Sequence, residues 1–318
     1  MTISANNKVS FSDIRDEYGP AGSSAMSIDD YYSNSSGLPA SGEITMDDFR
    51  GETFDVVDVL TVTQTYAARS NNARFIHIWC VGGGGSGGAA DVDRAGSEVG
   101  TASASGGAAG GVAKKILSNA QFTGNYSITI GAGGAGVSPP ANHYVLGNAG
   151  GDTTFTGSNA SLTGGGGGRG NAFERSTYGS DISTSAASVG GTASGGSINY
   201  TGGSGGQAVA SSSESVSASG GGGCNFVVSG SNDSLATSSG QTSAGGLASN
   251  DALPNILTSY ISDKGQTEPI RTLFDGTDGG YNTSADAVFG AGSGGSAADG
   301  GASSGDGGGG AVIVVYEL

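Results

Sequence analysis

The sequence predicts a mostly irregular, all-β protein: a lattice of extended glycine helices framed by short β-strands, after a small N-terminal docking segment of short repeats. Three observations support this fold class. Glycine supplies 64 of the 318 residues and is clustered into runs. Strongly β-prone segments stand at both ends of the glycine-rich region, at 74–81 and 311–318. Three short repeats fill the first part of the chain and are too small to fold alone.

The N-terminal segment, residues 1–53, contains one six-residue motif three times. Each copy opens with Ser or Thr and has Asp three positions later, which resembles a capping box. Each copy then places an apolar side chain at its fifth position. We therefore predict short helical turns that dock to another protein through Ile14, Tyr31 and Phe49.

The glycine-rich domain is predicted to span residues 54–318. A β-branched stretch at its start, 54–66, predicts a strand or hairpin that leads to the strand 74–81. The last segment, 311–318, is a continuous apolar run typical of a buried strand. We expect it to pair with 74–81, so that the strands entering and leaving the glycine region meet at one base. Two further short strands are predicted within 125–136 and 150–157.

The first glycine run invites a different interpretation, because Gly82, Gly84 and Gly87 form G-x-G-x-x-G directly after a strand. A dinucleotide site also needs a helix after the third glycine. The following residues are broken by Gly96 and Gly100 and lack a helical apolar stripe, so this site is excluded. No Gly-Lys-Ser/Thr exists for a P-loop, and 6 prolines are too few for collagen. Isolated Asp-Gly fragments leave open whether the protein binds Ca²⁺.

The remaining interpretation is that the glycine runs form a lattice. Consecutive glycines destabilise an α-helix or an ordinary strand by roughly 0.5–1 kcal/mol each relative to alanine. They readily form a left-handed helix with three residues per turn and no internal hydrogen bonds. Every backbone donor and acceptor then points outward and must find a partner on a neighbouring helix. The main clusters that would form this lattice are 82–88, 106–111, 131–136, 164–170, 202–206, 220–223, 290–295 and 305–310.

Charge and composition exclude several classes of partner. The formal net charge is −16, so a phosphate backbone would repel the protein and we expect no nucleic-acid binding. No polybasic cluster and no long apolar run is present, so we expect no membrane insertion. The N-terminus has no apolar core of a secretory signal, so an extracellular role would need another route.

The sequence shows no recognisable set of catalytic residues. His77 and His143 are the two histidines, and neither comes with an identifiable nucleophile and orienting acid. We therefore predict that the protein is not an enzyme and needs no cofactor. Cys80 and Cys224 stand in no metal-binding spacing, and either two buried thiols or a long-range disulfide fits them.

The order of motifs resembles the glycine-rich domain of bacteriophage tail proteins, above all tail-fibre-tip adhesins whose glycine helices form a polyglycine II sandwich. The motifs are FIHIWCVGGGGSGG, YSITIGAGGAG, GNAGGDTTF, TGGGGGRG and GGGGAVIVVY, between residues 75 and 316. The N-terminal repeats are similar to short repeats that open many phage tail and fibre proteins. The resemblance implies a virion protein of a tail or fibre, assembled in the host cytoplasm and attached through its N-terminal segment to another virion protein.

Three functions follow as hypotheses. The first is an adhesin that binds a host surface receptor, a sugar or an outer-membrane protein, through loops on the polyglycine II scaffold. The second is a structural or decoration protein of the virion without a receptor. The third, a cell-surface glycine-rich protein, is disfavoured by the missing export signal. Aromatic and basic side chains between the glycine runs, expected at the end away from the paired strands, are the receptor-binding candidates: Tyr144, Phe173, Arg175, Tyr178, Phe226, Tyr260, Phe274, Tyr281 and Phe289.

Overall fold

The structure is a computed structural model that describes residues 56–69, 73–92, 100–141, 143–175, 183–210, 216–223, 235–236, 241–242, 277, 280–281, 284, 286–287, 289–298 and 301–317. The predicted docking segment lies outside the described residues, with Ile14, Tyr31 and Phe49. Four receptor-binding candidates also lie outside them: Tyr178, Phe226, Tyr260 and Phe274.

All regular structure in the described part of the chain is β-strand, which confirms the predicted fold class. Two five-stranded sheets form one end of the molecule, the base. The first has the order β1-β21-β3-β6-β14 and the second β13-β10-β9-β7-β2. Their strands are β1 (Val56–Leu60), β2 (Gln64–Ala67), β3 (Phe75–Val81), β6 (Val112–Ser118), β7 (Asn125–Thr129), β9 (Thr153–Thr156), β10 (Ser161–Gly164), β13 (Ala193–Ser194), β14 (Ile198–Tyr200) and β21 (Ala311–Glu317).

Three smaller sheets form the opposite end, the far end. Their orders are β11-β5-β16-β18, β12-β15-β17 and β19-β20-β4-β8. Their strands are β4 (Ala89–Asp91), β5 (Thr101–Ala104), β8 (Tyr144–Val145), β11 (Ala172–Arg175), β12 (Ser183–Ser185), β15 (Gln207–Ala210), β16 (Val216–Ala218), β17 (Leu235–Ala236), β18 (Gln241–Thr242), β19 (Gly280–Tyr281) and β20 (Ser296–Ala298).

The two ends have different cores because their side chains differ in size. At the base, apolar side chains of the first sheet pack on Tyr126 and Phe155 of the second sheet and on Phe122 of the β6–β7 connection. These three rings stack at centroid distances of 4.6–6.3 Å. At the far end the buried cluster is almost all alanine. Small side chains keep the far-end strands as closely packed as the glycine segments that they continue.

The predicted pairing of the first and last strands is confirmed. β3 and β21 pair antiparallel over their full length, from Phe75 opposite Glu317 to Val81 opposite Ala311. The short strands expected within 125–136 and 150–157 are β7 and β9. The hairpin alternative for 54–66 is wrong: β1 pairs with β21 in the first sheet, whereas β2 pairs with β7 in the second. The connection between them therefore joins the two base sheets.

Glycine segments cross between the base and the far end, and they form the predicted lattice. The central segment, 82–88, shows the threefold helix directly in its backbone hydrogen bonds. Its N–H groups at 82, 85 and 88 donate to the segment 105–111, whereas those at 83 and 86 donate to 147–151. In two of the three directions the partner segment returns every third residue, which is the period of polyglycine II. In the third direction Gly84 donates to Gly308, whereas Gly87 donates to Ser293 Oγ.

The carbonyl groups of the central segment complete its surroundings. They accept N–H groups from three further segments, at 134, at 167 and 170, and at 293 and 296. The helix 82–88 is therefore bonded to six neighbours, three through its donors and three through its acceptors. Backbone hydrogen bonds on all sides take the place of a side-chain core here.

Candidate functional site

Glycine is required at most lattice positions because the neighbouring backbone occupies the space of a side chain. A Cβ atom on Gly167 would lie 2.0 Å from the carbonyl oxygen of Ala108, and one on Gly84 would lie 1.8 Å from that of Ala291. Such contacts involve rigid backbone on both sides. The lattice therefore offers a ligand little more than exposed peptide groups, and the side chains that could contact a ligand lie mainly at its ends.

Buried serines complete the lattice, and the sequence pattern did not single them out. Ser293 is fully buried; its Oγ accepts the N–H of Gly87 at 2.8 Å and donates to the carbonyl of Gly305 at 2.6 Å. The Oγ of Ser86 accepts the N–H of Asn148 at 2.8 Å. These hydroxyls act where no backbone carbonyl meets a buried N–H. A serine at a buried position between glycines is the sequence signal that could have found them.

The far end displays one pair of exposed aromatic rings among the described residues. Tyr144 is 47% exposed and Phe173 is 39% exposed, and their ring centroids lie 6.3 Å apart with planes inclined by 24°. β8 carries Tyr144 opposite Ala90 of β4, and β11 carries Phe173 opposite Ser103 of β5. The two rings form a stacked, partly exposed pair on the surface of the far end.

Two other receptor-binding candidates lie at the same end through their backbones. Tyr281 ends β19, which pairs with β20. Arg175 ends β11, opposite Thr101 of β5. The structure thus places Tyr144, Phe173, Arg175 and Tyr281 at the far end, as expected from the sequence, and their role stays a prediction.

Phe289 lies at the wrong end for a receptor-binding residue grouped with Tyr144. It lines an open cavity of about 570 Å³ together with Thr61, Val62 and Gly310, which belong to the base. Its φ of 33° is in the left-handed region, where a bulky side chain is a strained outlier. This strained turn connects the base to the glycine segment 290–295. The expected position at the far end is therefore wrong for Phe289.

A buried network of polar side chains connects the two sheets of the base. The Tyr66 hydroxyl donates to Asp58 Oδ2 at 2.5 Å and lies 2.6 Å from the Tyr316 hydroxyl. Arg69 pairs with the same carboxylate and donates from Nε to Oδ2 at 2.8 Å. Burial, followed by the charge of Asp58, raises the pKa of Tyr66 far above its ordinary value, and burial also raises that of Tyr316. The network ties β1 and β21 of the first sheet to β2 of the second.

The remaining reactive side chains of the base are structural in their contacts. Cys80 is a buried free thiol that donates to the Thr153 carbonyl at 3.2 Å, and burial raises its pKa to about 12. Such a thiol is a poor nucleophile. Cys224 lies outside the described residues. His77 hydrogen-bonds Glu317 at 2.9 Å and stacks on Trp79.

Metal and membrane sites can be addressed only within the described ranges. No group of three or more His, Cys, Asp or Glu side chains there comes together in a way that would hold a metal ion. No helix in that part of the chain has the length and apolar character to cross a membrane.

Comparison with known proteins identifies the family of the glycine-rich region. The family model of the glycine-rich domain matches residues 60–317, which include all of β2 to β21 and all the glycine segments between them. Comparison with curated proteins gives no match. The family match spans most of the chain, so this protein belongs to the glycine-rich domain family.

Proposed function

We propose that this chain is a bacteriophage virion protein, a tail or tail-fibre tip adhesin that binds a host surface receptor at its far end. The observation that carries the proposal is the outward-facing ring pair of Tyr144 and Phe173 on a rigid scaffold. Large aromatic groups are the side chains that most often dominate protein interfaces, and they also stack on sugar rings.

The lattice suits this role because it fixes the position of the far end. Each crossing segment is bonded along its length to several neighbours, so the sheets at its end move with the whole. Loops on a rigid framework are the usual location of binding residues. Attachment to another virion protein is assigned to the N-terminal segment, through the apolar residues of its repeats.

The receptor role is tested by replacing both exposed rings. Particles that carry Tyr144→Ala with Phe173→Ala should assemble in normal yield but adsorb to host cells more slowly. Truncating a central interface aromatic typically weakens binding by about 2 kcal/mol or more, which is roughly thirtyfold in affinity. The matched control replaces Val62 and Val189 with alanine. These two side chains are 67% and 74% exposed and do not belong to the ring pair.

Unchanged adsorption of the double variant would contradict the receptor role. The alternative, a structural or decoration protein of the virion, would then be favoured if immunogold labelling still found the chain on particles. Absence of the chain from purified particles would reject both virion functions.

A further inference from the structure

The segment 303–310 is an outer helix of the lattice. Among the described residues its backbone bonds to four lattice segments, 82–88, 131–137, 284–290 and 290–295. The central helix has six neighbours, so two sides of 303–310 lack a described lattice neighbour. One of these sides carries the N–H groups of residues 303, 306 and 309, which recur with the threefold period of the helix.

A carboxylate closes one of these outward N–H groups, whereas the next one is left open. The Asp306 N–H donates to Asp286 Oδ1 at 2.9 Å. One turn nearer the base, Phe289 stands in register with Gly309 as Asp286 does with Asp306, because the carbonyls at 306 and 309 accept from 287 and 290. A phenyl ring has no oxygen to offer. The Gly309 N–H accordingly has no hydrogen-bond partner among the described residues.

The neighbouring segment, 131–137, leaves Gly133 open in the same way. The N–H groups one turn before it and one turn after it donate to side chains, to Thr63 Oγ1 at 3.0 Å and to Asp306 Oδ1 at 2.6 Å. The Gly133 N–H has no such partner in the described part of the chain. The backbone register of the two segments places Gly133 and Gly309 about one residue rise apart along their axes, or roughly 3 Å.

The cavity of about 570 Å³ lies beside these open donors and is accessible from solvent. Gly309 lines it, and a Cβ atom there would meet no atom within 4 Å. Its wall includes the apolar side chains of Ile130 and Phe289 and the exposed residues Thr61 and Thr63. We call this cavity the open groove. It combines unpaired peptide donors with an apolar wall that contains an aromatic ring.

Acidic neighbours favour a neutral acceptor over an anion in the open groove. Asp286 and Asp306 are exposed and form no ion pair with another described residue, and the net charge of the protein is −16. Peptide carbonyl groups are neutral acceptors. A proline-rich chain presents them on a preformed helix with three residues per turn, the period of the lattice itself, and its rings fit apolar grooves that contain aromatic residues.

We propose that the open groove binds a proline-rich, basic segment of a partner protein in the polyproline II conformation. Carbonyl groups of the segment accept from Gly133 and Gly309, and its prolines pack against Phe289. A basic residue about one turn further along faces Asp306. The bound segment extends the lattice by one helix, as an added strand extends a β-sheet. This site is independent of the receptor role at the far end.

Peptide titration against the full chain tests the ligand class. The probe is a fluorescein-labelled peptide of four Lys-Pro-Pro repeats, followed by fluorescence anisotropy at about 0.15 M salt. The control peptide, four Lys-Gly-Gly repeats, has the same charge but no preformed helix. We expect the proline peptide to bind at least about tenfold more tightly. Equal affinities would overturn the proposal, because attraction between opposite charges would then account for all the binding.

Two variants of the chain test the location. Gly309→Val fills the open groove, and Phe289→Asn supplies an oxygen that can accept the Gly309 N–H, as Asp286 does for Asp306. Asparagine also tolerates the left-handed backbone region better than phenylalanine. Both variants should melt as folded proteins and bind the proline peptide at least about tenfold more weakly, whereas Val189→Ala, outside the groove, should match the wild type. Wild-type affinity in either folded groove variant would overturn the assigned site.

Discussion

Serine hydroxyls supply acceptors that the glycine backbone lacks, and Ser293 is the clearest case. Replacing it with alanine leaves the Gly87 N–H and the Gly305 carbonyl without their buried partner. Ser293→Ala should lower the free energy of unfolding by about 1–3 kcal/mol, since an unpaired buried polar group carries its desolvation penalty. Chemical denaturation measures the change. The control, Ser158→Ala at an exposed turn, should change stability by less than about 0.5 kcal/mol.

Tyr66 should make stability depend on alkaline pH. The pKa of an unfolded tyrosine is near 10, and the folded pKa values of Tyr66 and Tyr316 are raised above it. The unfolded chain therefore releases these protons first, so stability is full below about pH 10 and falls as the pH rises further.

Tyr66→Phe removes two hydrogen bonds and should destabilise the protein by about 1–3 kcal/mol at neutral pH. Its melting temperature should also fall less steeply above about pH 10 than that of the wild type. Tyr144→Phe, at an exposed site, is the control and should match the wild type in both respects. An unchanged slope for Tyr66→Phe would contradict the assigned origin of the alkaline effect.

At the scale of single elements, steric exclusion of side chains decides where the lattice tolerates substitution. Gly165→Val with Gly167→Val should prevent compact folding, because a Cβ atom would lie 2.3 Å from Thr192 O and 2.0 Å from Ala108 O, respectively. Gly309→Val is the matched control, since no atom lies within 4 Å of its Cβ position. Far-ultraviolet circular dichroism and thermal melting compare them. Equal melting temperatures would contradict the lattice as the source of stability.

The sequence analysis counted eight glycine clusters as lattice and left out two further segments, GNAGG at 147–151 and SVGGT at 188–192. The segments 147–151 and 188–192 make the same backbone hydrogen bonds as their neighbours. Their larger side chains point outward, and Val189 is 74% exposed. A lattice helix needs glycine only where it faces another helix, so an outer helix tolerates side chains on its free side. A search for dense glycine clusters therefore misses such a helix when other residues interrupt its glycines.

At the scale of the whole molecule, the error over Phe289 comes from grouping the stretches between glycine segments by their composition alone. Each lattice segment carries the chain from one end to the other. The end at which a stretch between two segments lies therefore depends on counting every segment before it. Composition identified Tyr144, Phe173 and Phe289 as residues between glycine segments without dividing them between the two ends. Leaving 147–151 out of the count would place Phe173 at the base. The structure puts the first two at the far end and the third at the base.

Separate roles for the N-terminal segment and the glycine-rich domain predict the behaviour of a truncated chain. A chain that starts at Asp55 retains β1 to β21 and should fold, because the base core and the lattice are made by residues after it. It should nevertheless be missing from assembled particles, as judged by immunoblotting of purified virions against the full chain. Normal incorporation of the truncated chain would contradict N-terminal attachment.

The described fold begins at Val56 and ends at Glu317, on the neighbouring strands β1 and β21. A pull between this end and the far-end rings acts along the axes of the lattice helices, whereas their hydrogen bonds run across those axes. Tension therefore loads many of these hydrogen bonds in shear at the same time, so they do not break one after another. The same geometry that removes the need for a side-chain core makes the molecule a stiff tether, which yields only when whole helices slide past one another.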